Sequence, residues 1–168
     1  DLSEQISTAG TEASGTGCMK FMMNGALTIG TLDGANIEIM ERVGRDNIVI
    51  FGLTAEEVAL KRAGGYNPAE VIEGNRELAQ AVHSIASGVF SPDDPTRYQG
   101  LMDSLTHSDW FMVAADFDAY AAGQCEVDAR WCDRAGWRRS AIINIAQVGW
   151  FSSDRTISEY AREIWGVM

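Results

Sequence analysis

Residues 12–27, with the sequence EASGTGCMKFMMNGAL, decide how this chain is organised. The stretch opens with small residues at 14–17 and continues as a short apolar run that contains one lysine, Lys20. Asn24 and Gly25 end the run, as is typical where a helix has its C-terminal cap on glycine. The pattern predicts a glycine-rich loop that leads into a helix. The first free N–H groups of such a helix, and its positive dipole end, favour an anion, most often a phosphate.

Lys20 lies one helical turn beyond this loop. It follows Thr16 by four residues, which is about 6 Å along a helix axis. Helical side chains lean toward the N-terminus, so the amine is aimed at the space in front of the loop. The loop and the amine could hold the two ends of pyridoxal phosphate, which has a phosphate arm and an aldehyde that forms a Schiff base with lysine. The spacing alone leaves open that Lys20 is an ordinary solvated lysine.

Composition limits the classes of protein to consider. At 168 residues the chain forms one domain or part of one, and 46% apolar residues are enough for a core. The net charge of −11 argues against nucleic-acid and anionic membrane surfaces, which need clustered lysine and arginine. No apolar run approaches the length of a membrane span. An acidic surface, and three cysteines without a Cys-x-x-Cys motif, fit a soluble protein of the reducing cytoplasm.

Two acidic or basic features outside the opening stretch are interpreted as structural. Asp93 and Asp94 lie between prolines, with no further ligand near them in sequence, and are expected to form a solvated turn. His83 and His107 are far apart and lack the spacing of metal ligands. The sequence therefore predicts no metal site.

The first third of the sequence alternates between helix and strand signals. Residues 26–31 are a short β-prone run bounded by glycine, and residues 47–52 contain four consecutive apolar residues, as in a parallel strand covered on both faces. Between them, Asp33 is expected to cap a helix over 35–43. Residues 1–10 are polar and are expected to form a loop or a short turn. The alternation is that of a βαβ unit.

Residues 54–168 are expected to be mainly helical. Pro68 is a favoured first residue of a helix, and four polar residues are candidate N-caps. These are Thr54, Asn75, Asp116 and Asp133. The last helix starts at Ser152 or Ser153 and carries a wide apolar stripe. The stripe consists of Ile157, Tyr160, Ala161, Ile164 and Trp165. The tryptophans are interpreted mainly as core residues, with a sugar-stacking surface as the alternative.

A long part of the chain resembles a known family signature. Residues 12–36 are similar to the cofactor-lysine segment of the α-glucan phosphorylases, which include glycogen, starch and maltodextrin phosphorylase. The matching positions are Glu12-Ala13-Ser14-Gly15-Thr16-Gly17, Met19-Lys20, Asn24-Gly25-Ala26-Leu27-Thr28, Gly30-Thr31 and Asp33-Gly34-Ala35-Asn36. The similarity continues more loosely and ends in residues 151–157 and 160–165. It therefore covers essentially the whole chain.

The resemblance implies an α/β fold. The chain would be the helix-rich second half of a Rossmann-like C-terminal domain, in a two-domain glycosyltransferase architecture. Residues 1–168 would form the C-terminal part of the catalytic, cofactor-binding domain. Within it, residues 1–53 would be a βαβ-like cofactor segment and residues 54–168 a mostly helical segment. Because the family's proteins are several times longer and this chain begins at Asp1 rather than methionine, it is expected to be a fragment.

The resemblance also implies a reaction and a cofactor. In the family, phosphate attacks the terminal α-1,4-linked glucose of a glucan and releases glucose 1-phosphate. Carried over, Lys20 would be the catalytic residue that holds pyridoxal 5'-phosphate as a Schiff base. The N–H groups of Thr16 and Gly17, beside Gly15, would cradle the cofactor phosphate. Cys18 departs from the family, which usually has asparagine there, so cofactor affinity or local packing is expected to differ.

The same loop would also bind the sugar. Glu12 would accept hydrogen bonds from glucose hydroxyls, and Ser14 and Gly15 would donate through their backbone N–H groups. The family's basic residues for the substrate phosphate lie before Asp1, so the chain alone is expected to be inactive. An α-glucan and phosphate are the partners expected of the full-length enzyme.

The predicted sheet and the last helix both lack a partner within the chain. Only two strong strands are recognised, two strands rarely stand alone, and the stripe of the last helix lacks a partner. The sequence therefore predicts a homodimer or a rearranged terminus.

The alternative function is a non-catalytic, free-standing interaction or assembly module that keeps the fold. A third is a sugar-nucleotide glycosyltransferase of the same general architecture, which would need no cofactor lysine.

Overall fold

The structure is a computed structural model that describes residues 1–167, and a small parallel sheet lies at its centre. The strands are β1 (Leu2–Gln5), β2 (Leu27–Gly30) and β3 (Val49–Ile50), which lie side by side in that order. Helix α1 (Thr16–Met23) connects β1 to β2, and helix α2 (Ala35–Val43) connects β2 to β3. Parallel neighbours need such crossover connections. The predicted alternation of helix and strand is confirmed.

Two expectations about the strands are wrong. Residues 2–5, expected to be loop, form β1, which pairs in parallel with β2 from Leu2 opposite Leu27 to Gln5 opposite Gly30. The polar sequence does not predict this strand, because the strand is only partly buried and its pairing partner lies 25 residues away. The predicted strand at 47–52 shrinks to two residues, since a 3₁₀ turn occupies Arg45–Asn47. The sheet has three strands rather than two.

Helices and the loops between them make up the rest of the described chain. They are α3 (Ala55–Ala63), α4 (Pro68–Gly74), α5 (Arg76–Ala86), α6 (Gln99–His107), α7 (Val113–Cys132), α8 (Arg134–Gln147) and α9 (Ser153–Tyr160). A 3₁₀ turn at Val148–Phe151 precedes α9, and a π-helical turn at Ala161–Trp165 follows it. The prediction that residues after 54 are mainly helical is confirmed, so the chain is a helix-rich α/β protein.

Most predicted helix starts are confirmed, because capping is a local interaction. Thr54 and Glu57 form a reciprocal capping box at the start of α3. Asn75 accepts from the N–H of Leu78, and Asp133 accepts from the N–H of Gly136. Pro68 is the first residue of α4. These side chains satisfy first-turn N–H groups that have no partner within the helix.

Two predicted caps are wrong. Asp33 does not cap α2, whose N-cap is Gly34 without a side-chain hydrogen bond. Asp116 lies inside the first turn of α7 and accepts from the N–H of Leu53 at 2.8 Å. The cap of α7 is supplied by Asp109, which accepts from the N–H of Val113 at 2.9 Å. Both aspartates bind a loop that is distant in sequence, which a local pattern does not reveal.

Helices cover both faces of the sheet. On one face, α1 and α2 pack around Cys18, Met22, Ala35, Ile39, Val43 and Ile48. On the other, α7 and α8 pack around Leu27, Ile29, Val49, Phe51, Val127 and Trp137. Ile48 and Val49 enter opposite clusters, as the alternation of side chains along a strand requires. A Cβ on Gly123 would lie 3.1 Å from Ile29, so glycine lets α7 approach the sheet closely.

The C-terminal stripe lies on the surface. Ile157, Tyr160, Ile164 and Trp165 are all exposed, Ile164 by 68%. Across residues 1–167, no helix combines the length and apolar character that crossing a bilayer requires. Within the same residues, no group of three or more His, Cys, Asp or Glu side chains is placed to hold a metal ion.

Replacement of Met22 by alanine tests how α1 packs on the sheet. Met22 is completely buried, so the variant should lose about 2–5 kcal/mol of unfolding free energy through lost contacts and a residual cavity. Met23, the next residue, is 55% exposed and provides the matched control. Met23→Ala should change the free energy by less than about 0.5 kcal/mol. Urea unfolding followed by circular dichroism measures both, and equal losses would contradict this packing.

Candidate functional site

The loops after β1 and β2 meet at the carboxyl edge of the sheet. Residues 6–15 follow β1 and lead into α1, and residues 31–34 follow β2 and lead into α2. Open parallel α/β sheets bind ligands at this edge, outside the carboxyl ends of the strands. The sequence-predicted site residues all lie on the first loop and on α1. The edge is therefore the candidate site.

The carboxylate of Asp33 ties the two loops together. It accepts hydrogen bonds from the N–H groups of Gly10 at 3.0 Å, Thr11 at 3.3 Å and Glu12 at 2.9 Å, and from the hydroxyl of Ser7 at 3.1 Å. Burial by itself raises the pKa of Asp33, but the donated N–H groups outweigh it, so the pKa lies below its usual value. A charged Asp33 therefore fixes the backbone of Glu12.

Gly34 allows the two loops to touch. Its φ is +48°, and a Cβ built on it would lie 2.8 Å from both Cγ of Glu12 and the carbonyl oxygen of Ser14. Such a distance is shorter than real Cβ contacts, and the left-handed φ also favours glycine. Next to it, the N–H of Ala35 donates to the carbonyl of Ser14 at 2.6 Å. The start of α2 therefore supports the loop that carries Glu12 and Ser14.

The first turn of α1 has free N–H groups. Gly15 precedes the helix with a left-handed backbone at φ 79°, a conformation that glycine adopts without strain. Over residues 1–167, no side chain caps this end of the helix. The N–H groups of Thr16 and Gly17 have no acceptor one turn earlier in the helix, and they can bind an anion.

Thr16 and Lys20 lie on one exposed face of α1. They are four residues apart and therefore neighbours along the helix surface, and both are exposed. Cys18 and Met22 occupy the opposite face and are buried against the sheet. No ion pair in the described part of the chain involves Lys20. The side chain of Lys20 is therefore exposed on the same face of α1 as Thr16.

Cys18 belongs to the core beneath the loop. Its thiol donates to the carbonyl oxygen of Gly15 at 2.7 Å, and its side chain is 2% exposed. Burial raises the pKa of Cys18, partly opposed by the N–H groups of Met19 and of Cys18 itself. A neutral thiol is therefore maintained at pH 7. The residue that departs from the family pattern stabilises the loop from below and does not face the anion side of the helix.

Comparison with known proteins places the chain in a family. Residues 1–167 match the carbohydrate phosphorylase family. The chain belongs to this family. It is 55% identical to the brain form of glycogen phosphorylase from Homo sapiens, 56% to glycogen phosphorylase from Synechocystis sp. and 52% to that from Pasteurella multocida. Each match covers 99% of this chain and 20% of the relative, so the chain spans about a fifth of the length of these curated relatives.

This phosphorylase chain brings its predicted site residues onto two consecutive segments. Three lie on the loop after β1 and three on α1, in the order Glu12, Ser14, Gly15, then Thr16, Gly17 and Lys20. The loop is fixed by Asp33 and Gly34, and the helix by its buried face. The individual roles of the six residues stay predictions.

One polar residue of the site, Asn36, was not predicted from the sequence. Asn36 is 3% exposed, and its amide nitrogen donates to the carbonyl of Thr31 at 3.0 Å. Within residues 1–167 its amide oxygen is buried without a hydrogen-bond partner. Together with Glu12 and Ser14, Asn36 lines a polar cavity of about 170 Å³. The segment 33–36 was part of the family resemblance, but no local pattern connects it to the loop more than 20 residues earlier.

Replacement of Asp33 by asparagine tests the anchoring carboxylate. The amide has no charge and only one acceptor oxygen, so the free energy of unfolding should fall by about 2–3 kcal/mol at neutral pH. Asp46→Asn is the control, because Asp46 is exposed and its replacement should cost less than about 0.5 kcal/mol. Chemical denaturation of both variants and the wild type measures the difference.

The pH dependence of this difference has a defined sign. The pKa of Asp33 is lower in the folded chain than in the unfolded chain, where it is about 3.9. Its contribution to stability is therefore complete above that pH and is lost as the pH falls through the folded-state value. The gap between wild type and Asp33→Asn should shrink below about pH 4. A gap of constant size under acid conditions would contradict the assignment.

Proposed function

We propose that this chain is the part of an α-glucan phosphorylase that holds pyridoxal 5'-phosphate and contacts the terminal glucose of the glucan. The family match over residues 1–167 and the names of the relatives support this proposal. The full-length enzyme would cleave α-1,4-glucans with phosphate and release glucose 1-phosphate. The chain would be the second half of its Rossmann-like C-terminal domain, with the cofactor segment at 1–53 and a helical segment at 54–168.

The observation that carries the proposal is the exposed face of α1. Thr16 and Lys20 lie on this face, directly beyond an N-terminus without a side-chain cap. These residues fit the cofactor: the N–H groups of Thr16 and Gly17, beside Gly15, would bind its phosphate, and the amine of Lys20 would hold its aldehyde carbon. When bound, the cofactor supplies a phosphate group that exchanges a proton with the substrate phosphate.

The sugar would be bound by the preceding loop. The carboxylate of Glu12 would accept hydrogen bonds from glucose hydroxyls, and the N–H groups of Ser14 and Gly15 would donate to sugar oxygens. Asp33 holds this loop through a hydrogen bond to the N–H of Glu12, and Gly34 lets α2 approach it closely. Preorganised polar groups stabilise developing charge without reorganising during the reaction.

The electrostatics of the chain argue that it does not act alone. Lys20 is the only lysine or arginine in residues 1–36, so the two loops and α1 supply one cationic side chain for two phosphate groups. A phosphate transition state needs cationic partners. Cations outside this chain would have to supply the remainder, and we expect no release of glucose 1-phosphate from glycogen by the chain alone.

The chain contains only two lysines, which permits a direct test of the cofactor site. Lys20 and Lys61 are both on helices, and Lys61 lies 5.6 Å from the ring of Tyr66. Incubation with pyridoxal phosphate, borohydride reduction and peptide mapping should place the label on Lys20. Lys20→Ala should abolish that label, because Lys20 is the only lysine on α1 and the other lysine, Lys61, lies on α3. Lys61→Ala is the matched control and should leave the label in place.

The position of the label also distinguishes a phosphorylase from the two alternative functions. A non-catalytic interaction module has no reason to bind the cofactor, and a sugar-nucleotide glycosyltransferase needs no cofactor lysine. Label on Lys61 or on the terminal amine, at the same yield as on Lys20, would show nonspecific reaction with amines. That result would remove the assignment of Lys20.

We also propose that the protein forms a homodimer and is located in the cytoplasm. The apolar stripe on α9 and the turn after it is exposed, and burying it against a second copy would remove that surface from water. Sedimentation velocity should therefore show a dimer. Ile164→Asp should shift it to a monomer, whereas Ile142→Asp, on α8 and 66% exposed, is the matched control. A monomeric wild type, or the same shift in both variants, would contradict the dimer.

A further inference from the structure

Left-handed backbone at residues other than glycine occurs in one short segment. Within residues 1–167, the residues other than glycine that have a positive φ are Asp109 at 35° and Met112 at 54°. Both lie in residues 109–112, in the connection between α6 and α7. A side chain makes this conformation costly, so it persists only where surrounding contacts impose it, and such positions cluster at functional sites. The contacts of the 109–112 segment therefore point to its role.

One side of the 109–112 segment is held by the end of α3 and the turn that follows it. Tyr66 donates its hydroxyl proton to the carboxylate of Asp109 at 2.7 Å. Arg62 donates to the carbonyl of Trp110 at 2.7 Å, and its guanidinium carbon lies 4.7 Å from the centre of the Trp110 ring. Burial, and then the bond to Asp109, raises the pKa of Tyr66, so the hydroxyl keeps the proton that it donates.

The carboxylate of Asp109 joins the segment to α7. The residue is 3% exposed, and besides the Tyr66 hydroxyl it accepts from the N–H groups of Val113 and Ala114, both at 2.9 Å. An ionised acceptor with three donors has little freedom to rotate. The bond from Tyr66 therefore fixes the 109–112 segment together with the start of α7.

The other side of the segment contacts the loop that carries Glu12. The hydroxyl of Thr8 donates to the carbonyl of Phe111 at 2.6 Å, and Thr8 is 3% exposed. The carbonyl of Thr8 accepts from the N–H of Thr11 at 3.0 Å and from the Thr11 hydroxyl at 2.6 Å. Thr11 directly precedes Glu12. A path of hydrogen bonds therefore leads from Tyr66, through the 109–112 segment, to the neighbour of Glu12.

Glu12 and Phe111 also line the same cavity, which has a volume of about 520 Å³. Its other lining groups include the rings of Phe51, Phe117 and Tyr120 and the carboxylate of Asp116. A shift of the 109–112 segment would therefore change the wall of this cavity as well as the support of the loop.

We propose that Tyr66 and Asp109 are positioning residues, which hold the loop that carries Glu12 from the side of α7. Asp33 holds the same loop from the side of β2, so the loop has an anchor on each side. Tyr66 and Asp109 act through the backbone of Phe111 and the side chain of Thr8 rather than by contact with a ligand. The inference rests on the proposed function only for the use of Glu12 in sugar binding.

Hydrogen exchange of the loop amides, followed by two-dimensional NMR of the whole chain without ligand, tests this anchor. The N–H groups of Thr11 and Glu12 are bonded to Asp33, so they exchange when the loop opens. Tyr66→Phe removes the donated proton and keeps the ring. Both amides should then exchange about tenfold faster, the order expected when a hydrogen bond to a charged group is lost.

The amides of β2 distinguish positioning from general support, because a central strand exchanges through global unfolding. If Tyr66 supported α7 alone, Tyr66→Phe would speed exchange in β2 and leave the loop amides unchanged. Tyr98→Phe is the matched control, since Tyr98 is half-buried like Tyr66 but lies at the start of α6. It should leave the exchange of Thr11 and Glu12 unchanged. Circular dichroism verifies that each variant is folded.

A second substitution tests the path itself. Thr8→Val keeps the shape of the side chain and removes the hydroxyl that bonds to Phe111, so the loop amides should exchange about fivefold faster. If Tyr66 acts through this bond, adding Tyr66→Phe to Thr8→Val should increase the exchange rate less than about twofold further.

Three results would overturn the inference. The first is unchanged exchange of Thr11 and Glu12 in Tyr66→Phe, and the second is the same increase in Tyr98→Phe. The third is a double variant whose increase equals the product of the two single increases, which would show that Tyr66 and Thr8 act separately. Exchange is measured without cofactor, so its result is independent of the labelling of Lys20. Labelling without coupled exchange removes the positioning assignment alone, and coupled exchange without labelling removes the cofactor assignment alone.

Discussion

The buried carboxylate of Asp33 is the interaction on which the candidate site depends. It follows β2, but its hydrogen bonds go to the loop after β1, whose donors lie 21 to 26 residues earlier in the chain. An ionised acceptor in a region of low dielectric constant makes strong hydrogen bonds and leaves few alternatives to the groups that donate to it. Without it, the N–H groups of Gly10, Thr11 and Glu12 would have to find other acceptors, such as water or backbone carbonyls. The position of Glu12 is thus decided by a residue outside its own loop.

What the sequence could and could not predict follows from the range of each interaction. Local residue patterns were sufficient to predict the glycine loop, the helix that carries Lys20, and the caps at Thr54, Asn75 and Asp133. Strand β1 was missed because its polar residues become a strand only when β2 pairs with them. Asp33 was predicted to cap α2 because a local pattern shows only the nearest helix. Its hydrogen bonds to the loop after β1 depend on the folded structure.

The loop that carries Glu12 lies between two surfaces of different chemical character. On the side of α1, free N–H groups and the amine of Lys20 create a positive region. On the side of α7, two carboxylates and four aromatic rings create a region that disfavours anions. No local sequence pattern predicted the second side, since Glu12, Phe51 and Asp116 come together only through the packing of α7 on the sheet.

Burial of Cys18 beneath the loop makes this thiol a natural reporter of loop motion. Cys125 and Cys132 are exposed on α7 and are open to alkylating reagents, whereas Cys18 is shielded while its sulfur stays bound to the Gly15 carbonyl. A reagent reaches it only in molecules whose loop has lifted away from the sheet. The rate at which Cys18 is modified, relative to Cys125 and Cys132, therefore measures how often the loop opens. A ligand that binds the first turn of α1 should lower the rate at which Cys18 is modified, without changing the rates at Cys125 and Cys132.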